Sequence, residues 1–301
     1  PILGCELYIS KQEATLKDPS NAKLMHQVVL AKDLEGWKKL LSLVSESNNP
    51  EHFYHKPRVG LDTFLESVSQ SSKLVSFSGH LGSHLANTVL DNPNWKNDGI
   101  RQAERMQEAF GKGNFYIEIQ LIDSLINKKA KEAAEKLREI SEATGIPCVA
   151  TPDAHYCKRE DAHDQRVLLC TSMRKSIGQV QNELKQGKSK SLKAFFESDN
   201  YHIPSYDDMK RFHTDKELDA TLEIANMCSE YNILGPPNPP VFDCPNGMSP
   251  NDYLRYLCRE GWSEKMSHID KHHDMFDTYG SRVNKEIKIF TETNLSSYFL
   301  I

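Results

Sequence analysis

The sharpest chemical signal in this chain is Thr151-Pro152-Asp153-Ala154-His155. A carboxylate and an imidazole two residues apart, just past an apolar strand-like run, can converge on one metal ion. Folds built on parallel strands place their sites at the carboxyl ends of those strands. A turn Asp beside a partly buried His is the plainer reading of the same residues. Other positions offer matching groups. Glu6 lies in the apolar run Ile2–Ile9, where an unpaired carboxylate is costly to bury; a solvent-facing strand position is the simpler account. His26 opens the run Val28–Leu30. His80 follows Lys73–Phe77 in the turn Ser78-Gly79-His80, where glycine lets a side chain be presented at little steric cost. His84, one helical turn on, reads as a supporting or merely packed residue. Mixed carboxylate and imidazole donors suit zinc, manganese or iron. Two or three such ions would hold a phosphate and supply hydroxide for phosphodiester cleavage.

The other histidines, His52, His55, His163, His202, His213, His268, His272 and His273, fall in polar surroundings and read as surface. No Gly-x-Ser-x-Gly turn is present, so a Ser/His/Asp triad has no support. No GxGxxG or P-loop pattern occurs either, which removes a nucleotide-cradling Rossmann reading.

These groups need elements to position them. Ile2–Ile9, His26–Leu30, Lys73–Phe77, Asn114–Gln120 and Pro147–Thr151 read as strands. Asp33 caps a helix with apolar residues at Leu34, Trp37, Leu40, Leu41 and Val44, and further helices are expected around 61–68, after His80, over 101–110 and over 125–144. Strand–helix alternation at this spacing implies an α/β fold with a parallel sheet and crossover helices, as an open doubly wound sheet or as an α/β barrel. The lysines at 185, 188, 190 and 193, set among Gly, Ser and Gln from Gly178 onward, read as a solvated loop, with a phosphate contact as the alternative. Asp207–Tyr231 and Pro250–Met266 read as amphipathic helices around the Pro-rich stretch 235–240, and a domain boundary is expected near residue 205.

With 37 Lys and Arg against 42 Asp and Glu, the net charge is −5, which excludes a globally basic nucleic-acid binder but not a local basic groove. No apolar run approaches the roughly 20 residues of a membrane span, and no signal peptide is visible. The seven scattered cysteines contain no CxxC pair and suit a reduced, cytoplasmic chain. The chain starts at Pro1 inside an apolar run and stops at Tyr298-Phe299-Leu300-Ile301 inside another, so an internal piece of a longer polypeptide is expected.

Several segments resemble the bacterial DNA polymerase III alpha subunits, the C-family polymerases. Pro1 to Glu6 resembles that family's "PIIGCE". His26 to Val44 is similar to "HLVLLAKNEEGYRNLLKL", Phe53 to Val59 to "FYYKPRI", Ser78 to Ser83 to "SACLGG", and Gly145 to Tyr156 to "GIPLVATNDVHY". The match continues through "HDQRVLLC", "FESDNYHIPSYDDM", Ala220 to Cys228 and the terminal "SYFLI".

The resemblance implies a PHP (polymerase and histidinol phosphatase) domain over 1–205, a distorted seven-stranded β/α barrel whose first strands are missing here. A mainly helical start of the polymerase palm region follows over 206–301. It implies a metal cluster with ligands at nine positions, of which five carry over: Glu6, His26, His80, Asp153 and His155. The other four lie upstream of Pro1. His80 stands where the family usually has Cys, and Leu121-Ile122-Asp123 stands where it often has "QDHG". The parent activity it implies is template-directed DNA synthesis, a nucleotidyl transfer using magnesium at aspartates beyond Ile301. The implied partners are primer-template DNA, dNTPs, the sliding clamp and other replisome subunits. The PHP site would bind zinc, manganese or iron and serve a 3′–5′ exonuclease. A free-standing PHP phosphoesterase and a non-catalytic PHP scaffold are the alternatives. Arg58 is a phosphate-contact candidate, with a structural salt bridge as the competing account.

Overall fold

The computed structural model describes every residue except 70, 122–127, 190–191, 237 and 270–273. Ile122 and Asp123, Lys190, His272 and His273 therefore lie outside the described residues. Six strands form one sheet: β1 (Leu3–Ser10), β2 (Leu24–Ala31), β3 (Val59–Gly60), β4 (Leu74–Phe77), β5 (Phe115–Gln120) and β6 (Cys148–Thr151), in the order β3-β1-β2-β4-β5-β6. The helices are α1 (Leu34–Ser47), α2 (Leu61–Val68), α3 (His84–Asp91), α4 (Trp95–Phe110), α5 (Lys128–Thr144), α6 (Ala162–Ser172), α7 (Ile177–Lys185), α8 (Lys193–Glu197), α9 (Tyr206–Lys210), α10 (Asp215–Met227), α11 (Pro250–Lys265), α12 (Asp274–Glu292) and α13 (Ser296–Leu300). The chain divides into two compact units, Pro1–Tyr231 and Asn232–Ile301.

The sheet is mixed, not parallel throughout as the strand–helix alternation suggested. β2 runs antiparallel to both β1 and β4, while β1 and β3, β4 and β5, and β5 and β6 pair in parallel. The reason lies in the β1–β2 connection, residues 11–23, which carries a single 3-10 turn and no α-helix that could cross over. The reversal has a consequence for chemistry. The start of β2 lies at the same end of the sheet as the carboxyl ends of the other strands, so His26 joins the strand-end positions.

Strand alternation then sorts the two faces. Leu7, Ile9, Met25, Val29, Leu74, Phe115, Ile117 and Ile119 pack on one face against α1–α5 residues such as Leu40, Phe64, Val89, Phe110 and Ile140. On the other face, Val75, Tyr116 and Val149 pack against Ala220 and Ile224 of α10, with Leu30 and Phe77 at the margin. Beyond the part that α10 covers, the same face carries Glu6, Tyr8, His26, Glu118 and Thr151.

Local signals set the helix starts. Asp33 accepts from Gly36 N, and Ser83 accepts from Ala86 N. Two expectations are corrected. The stretch from Gly178 is not simply a loop: Ser176 and Gln179 form a capping box that starts α7, and Val180 packs with Cys170 and Leu192. Asp207–Tyr231 is not one helix. It breaks at 211–214, where Thr214 and Glu217 form a second capping box that starts α10.

Candidate metal centre

Glu6, His26 and His80 come together at the open part of the second face. Their donor atoms all lie within 4.8 Å of one another. His26 Nδ1 contacts Glu6 Oε1, and His80 Nε2 lies 3.7 Å from the same oxygen. The two imidazoles stand edge to face with ring centres 4.5 Å apart. The turn between β4 and α3 makes this possible. Gly79 adopts φ +90°, where a Cβ would come within 2.7 Å of His26 O. At Gly82 a Cβ would meet His80 Cε1 at 2.8 Å and His26 Cδ2 at 3.0 Å. The Gly82 N–H donates to His80 Nδ1 at 3.0 Å, which orients the ring with Nε2 toward Glu6. Burial and the neighbouring His26 push the His80 pKa down against the pull of Glu6 and Asp153. The neutral imidazole this favours is the form that ligates metal.

Asp153 does not enter the trio but acts on it, since its charge is felt at both His80 and Glu118. His155 is not part of the trio either. Its Nδ1 is 2.8 Å from the Asp153 carbonyl, its N–H donates to Tyr201 O at 2.7 Å, and its ring packs edge-on against Phe195 and Tyr201. Three of the five residues are thus brought into mutual reach, one stands beside them, and one is held by the 195–201 segment.

The sequence reading missed Glu118. It follows Tyr116 on the second face, the complement of the Phe115/Ile117/Ile119 set, so strand alternation could have found it. Its side chain is buried, accepts from Thr151 Oγ1 at 2.6 Å, and leaves Oε2 without a hydrogen bond. Burial pushes its pKa up to about 7; hydrogen bonds from Thr151 and the Gly79 N–H oppose this, and the charges of Glu6 and Asp153 add to it. An orphaned buried carboxylate oxygen beside two further carboxylates fits a cation-binding environment.

Arg58 is corrected. It is 1% exposed, donates to Asn21 O at 2.8 Å and to Tyr54 O, and lies over the Tyr54 ring. A guanidinium so enclosed does not reach a phosphate, and its hydrogen-bond partners are carbonyls rather than a carboxylate. It pins the loop before β3. His84 is packed, and burial, with Lys11 and Arg105 nearby, pushes its pKa down to about 4. His213, read as surface, is buried with Nδ1 3.3 Å from Glu217 Oε2. Its neighbour Glu217 is held in turn by Arg138 of α5, a partner far away in the sequence.

Residues 1–121 match the PHP domain family, a segment that holds Glu6, His26, His80 and Glu118. The start of the chain is thus similar to PHP domains. Along its whole length it is also similar to DNA polymerase III subunit alpha proteins. The Treponema pallidum protein is 27% identical over 305 residues, covering 100% of this chain and 24% of that protein. The Helicobacter pylori protein is 28% identical over 323 residues (100% and 25%), and that of Bacillus subtilis 27% over 298 residues (99% and 24%). The chain spans about a quarter of the length of these relatives. Among the described residues, no helix is long and apolar enough to cross a membrane.

Proposed function

We propose that this chain is the PHP-bearing part of a replicative DNA polymerase III alpha-type subunit, with residues 1–205 as the PHP domain and 206–301 as the start of the polymerase palm region. The observation that carries the site reading is the convergence of Glu6, His26 and His80 donors within 4.8 Å. This mixed O/N set suits a divalent zinc, manganese or iron ion, which when bound supplies Lewis acidity toward a phosphodiester. Glu6 and the two imidazoles hold the ion. Asp153 adds negative charge beside it, His155 completes the strand-end pair, and Glu118 can carry a proton at neutral pH. Hydrolysis of DNA phosphodiesters at 3′ ends is the reaction class that fits this donor set and the similarity to polymerase subunits. In the parent protein the partners would be primer-template DNA, dNTPs, the sliding clamp and other replisome subunits in the cytoplasm, with magnesium serving synthesis. The full-length similarity favours this over a free-standing phosphoesterase. That His155 packs on Phe195 and Tyr201 rather than joining the trio favours a second reading, a PHP module kept as scaffold.

Calorimetric titration with Mn²⁺ and Zn²⁺, together with a 3′-labelled single-strand hydrolysis assay, tests the proposal. The chain should bind metal, and His26→Ala should weaken that binding by roughly tenfold or more while keeping the circular dichroism of the parent. Equal metal affinity in the His26→Ala protein would remove the site reading. Metal binding without any hydrolysis would select the scaffold.

A further inference from the structure

The edge of the site at β1 and β3 carries a cation and a phenol that the metal reading does not use. Lys56 Nζ donates to Tyr8 Oη at 2.9 Å and lies 4.4 Å from the centre of the Tyr8 ring. That ring stands edge-on to His26, with centres 5.1 Å apart. Tyr8 shares its strand face with Glu6 and pairs with His26 in the β1–β2 register. We infer that Lys56 and Tyr8 form the phosphate-binding side of the site and grip a non-bridging oxygen of a nucleic-acid strand whose phosphodiester faces Glu6, His26 and His80. The inference rests on the phosphodiester reading above.

Three observations carry it. The first is hydrogen-bond inventory. Tyr8 Oη accepts from Lys56, which leaves the phenol proton and the remaining ammonium protons free to donate to a ligand. A pair that offers donors, and has its acceptor engaged, selects an anion. The second is charge. Lys56 is exposed, and among the described residues no carboxylate makes an ion pair with it. Its cation is available to a ligand, while the carboxylates Glu118 and Asp153 lie toward the β5 and β6 side of the site. The cation thus sits at the β1/β3 edge of the site, with Glu6 beside Tyr8 and the other carboxylates farther across the sheet.

The third is preorganisation. Lys56 lies in a short loop fixed from below. Buried Arg58 clamps the Tyr54 and Asn21 carbonyls, Tyr54 and Lys56 form an isolated backbone bridge, and His55 takes φ +62° between them. The aromatic face and hydroxyl of Tyr8 then fix the end of the lysine side chain. The cost of ordering the lysine side chain is thus met in part by the fold before the ligand arrives. This also gives buried Arg58 a part in the site: it supports the loop that presents the cation.

The test is equilibrium binding of a short fluorescent oligothymidylate to the full chain, by anisotropy, across a salt series, with and without Mn²⁺. Lys56→Ala should weaken binding by roughly tenfold and reduce the magnitude of the log affinity–log salt slope by about 0.7, the loss of one single-strand phosphate contact. Tyr8→Phe keeps the ring but removes the hydroxyl, and should weaken binding by a smaller factor. Both variants should melt like the parent and bind Mn²⁺ as the parent does. Unchanged oligonucleotide affinity in both variants would overturn the inference, and so would a loss of affinity with an unchanged salt slope. The two readings fail separately. If the parent binds no Mn²⁺ the metal reading falls, while the metal-free arm still decides the role of Lys56.

Discussion

The fold controls the protonation of Glu118 directly. With its carboxyl pushed up to about 7 from an ordinary 4.5, it binds a proton in the folded chain at pH values where the unfolded chain has released it. Between those values the native state holds more protons than the unfolded state, so stability falls as pH rises through the window. Each pH unit there is worth about 1.4 kcal/mol. Glu118→Gln removes the titration while keeping the size of the side chain and an oxygen to accept from Thr151. In metal-free buffer the variant should be more stable than the parent by roughly 2–3 kcal/mol at pH 8, with little difference near pH 4.5. Urea melts at the two pH values measure this, and a gain of equal size at both would mean that packing rather than ionisation sets the effect. The residue also marks the limit of a one-faced reading of a strand. Once Phe115, Ile117 and Ile119 are assigned to the core, Glu118 is committed to the opposite face. That this face holds the site follows only when Glu6 and His26 are seen to share it.

At the scale of elements, α10 is tied to α5 through one buried carboxylate. Arg138 Nε and one terminal nitrogen donate to Glu217 at 2.6 and 2.8 Å, the Thr214 N–H donates to it at 3.0 Å, and His213 lies against it. Burial alone would raise the Glu217 pKa, but the hydrogen bonds from Arg138 and Thr214, with His213 beside it, reverse this and hold it down at about 2. A carboxylate with a depressed folded pKa gives stability that is present above pH 4.5 and is lost as pH falls toward 2. Glu217→Gln should therefore cost roughly 1–3 kcal/mol at neutral pH, with the deficit shrinking on acidification through that window. Thermal melts at pH 7 and pH 3 read both numbers; a deficit that does not change with pH would show that lost packing, not the ion pair, is responsible.

Elements set by local chemistry were legible in the sequence. Asp33 announced α1, Gly145 ended α5, and the alternation of β5 fixed its core face. What escaped was set by distant partners. The pairing of β2 with β4, far along the chain, and the contact of Glu217 with Arg138 of α5, which buries the 213–217 segment, are not written in any local pattern. The capping box of α7 was visible at Ser176 and Gln179, but the lysine-rich composition around it outweighed that signal.

Across the whole molecule, the unit Pro1–Tyr231 contains the candidate site, both faces of the sheet and the segment that closes the second face. Its last residues are fastened to β2: Ser229 N donates to Lys32 O at 2.8 Å, and Tyr231 Oη to Ala31 O at 3.3 Å. A chain ending at Tyr231 keeps every one of these contacts, whereas a chain ending at residue 205 loses α9 and α10. The shorter chain would expose Val75, Tyr116 and Val149 and leave Arg138 without Glu217. Fully exposing a buried side chain of that size costs about 1.5–3 kcal/mol, so the loss is comparable with the whole stability of an ordinary domain. We expect the 1–231 chain to be monomeric, to melt cooperatively and to bind Mn²⁺ with the affinity of the full chain, because Glu6, His26, His80, Glu118 and Asp153 are all retained. The 1–205 chain should melt at a much lower temperature or aggregate, through the uncovered sheet face rather than through any change at the metal ligands. Light scattering, thermal melts and Mn²⁺ titration of the two truncations decide this. A 1–205 chain as stable as the 1–231 chain would mean that α10 is a passenger on the sheet, and that the apolar patch beneath it is covered in some other way.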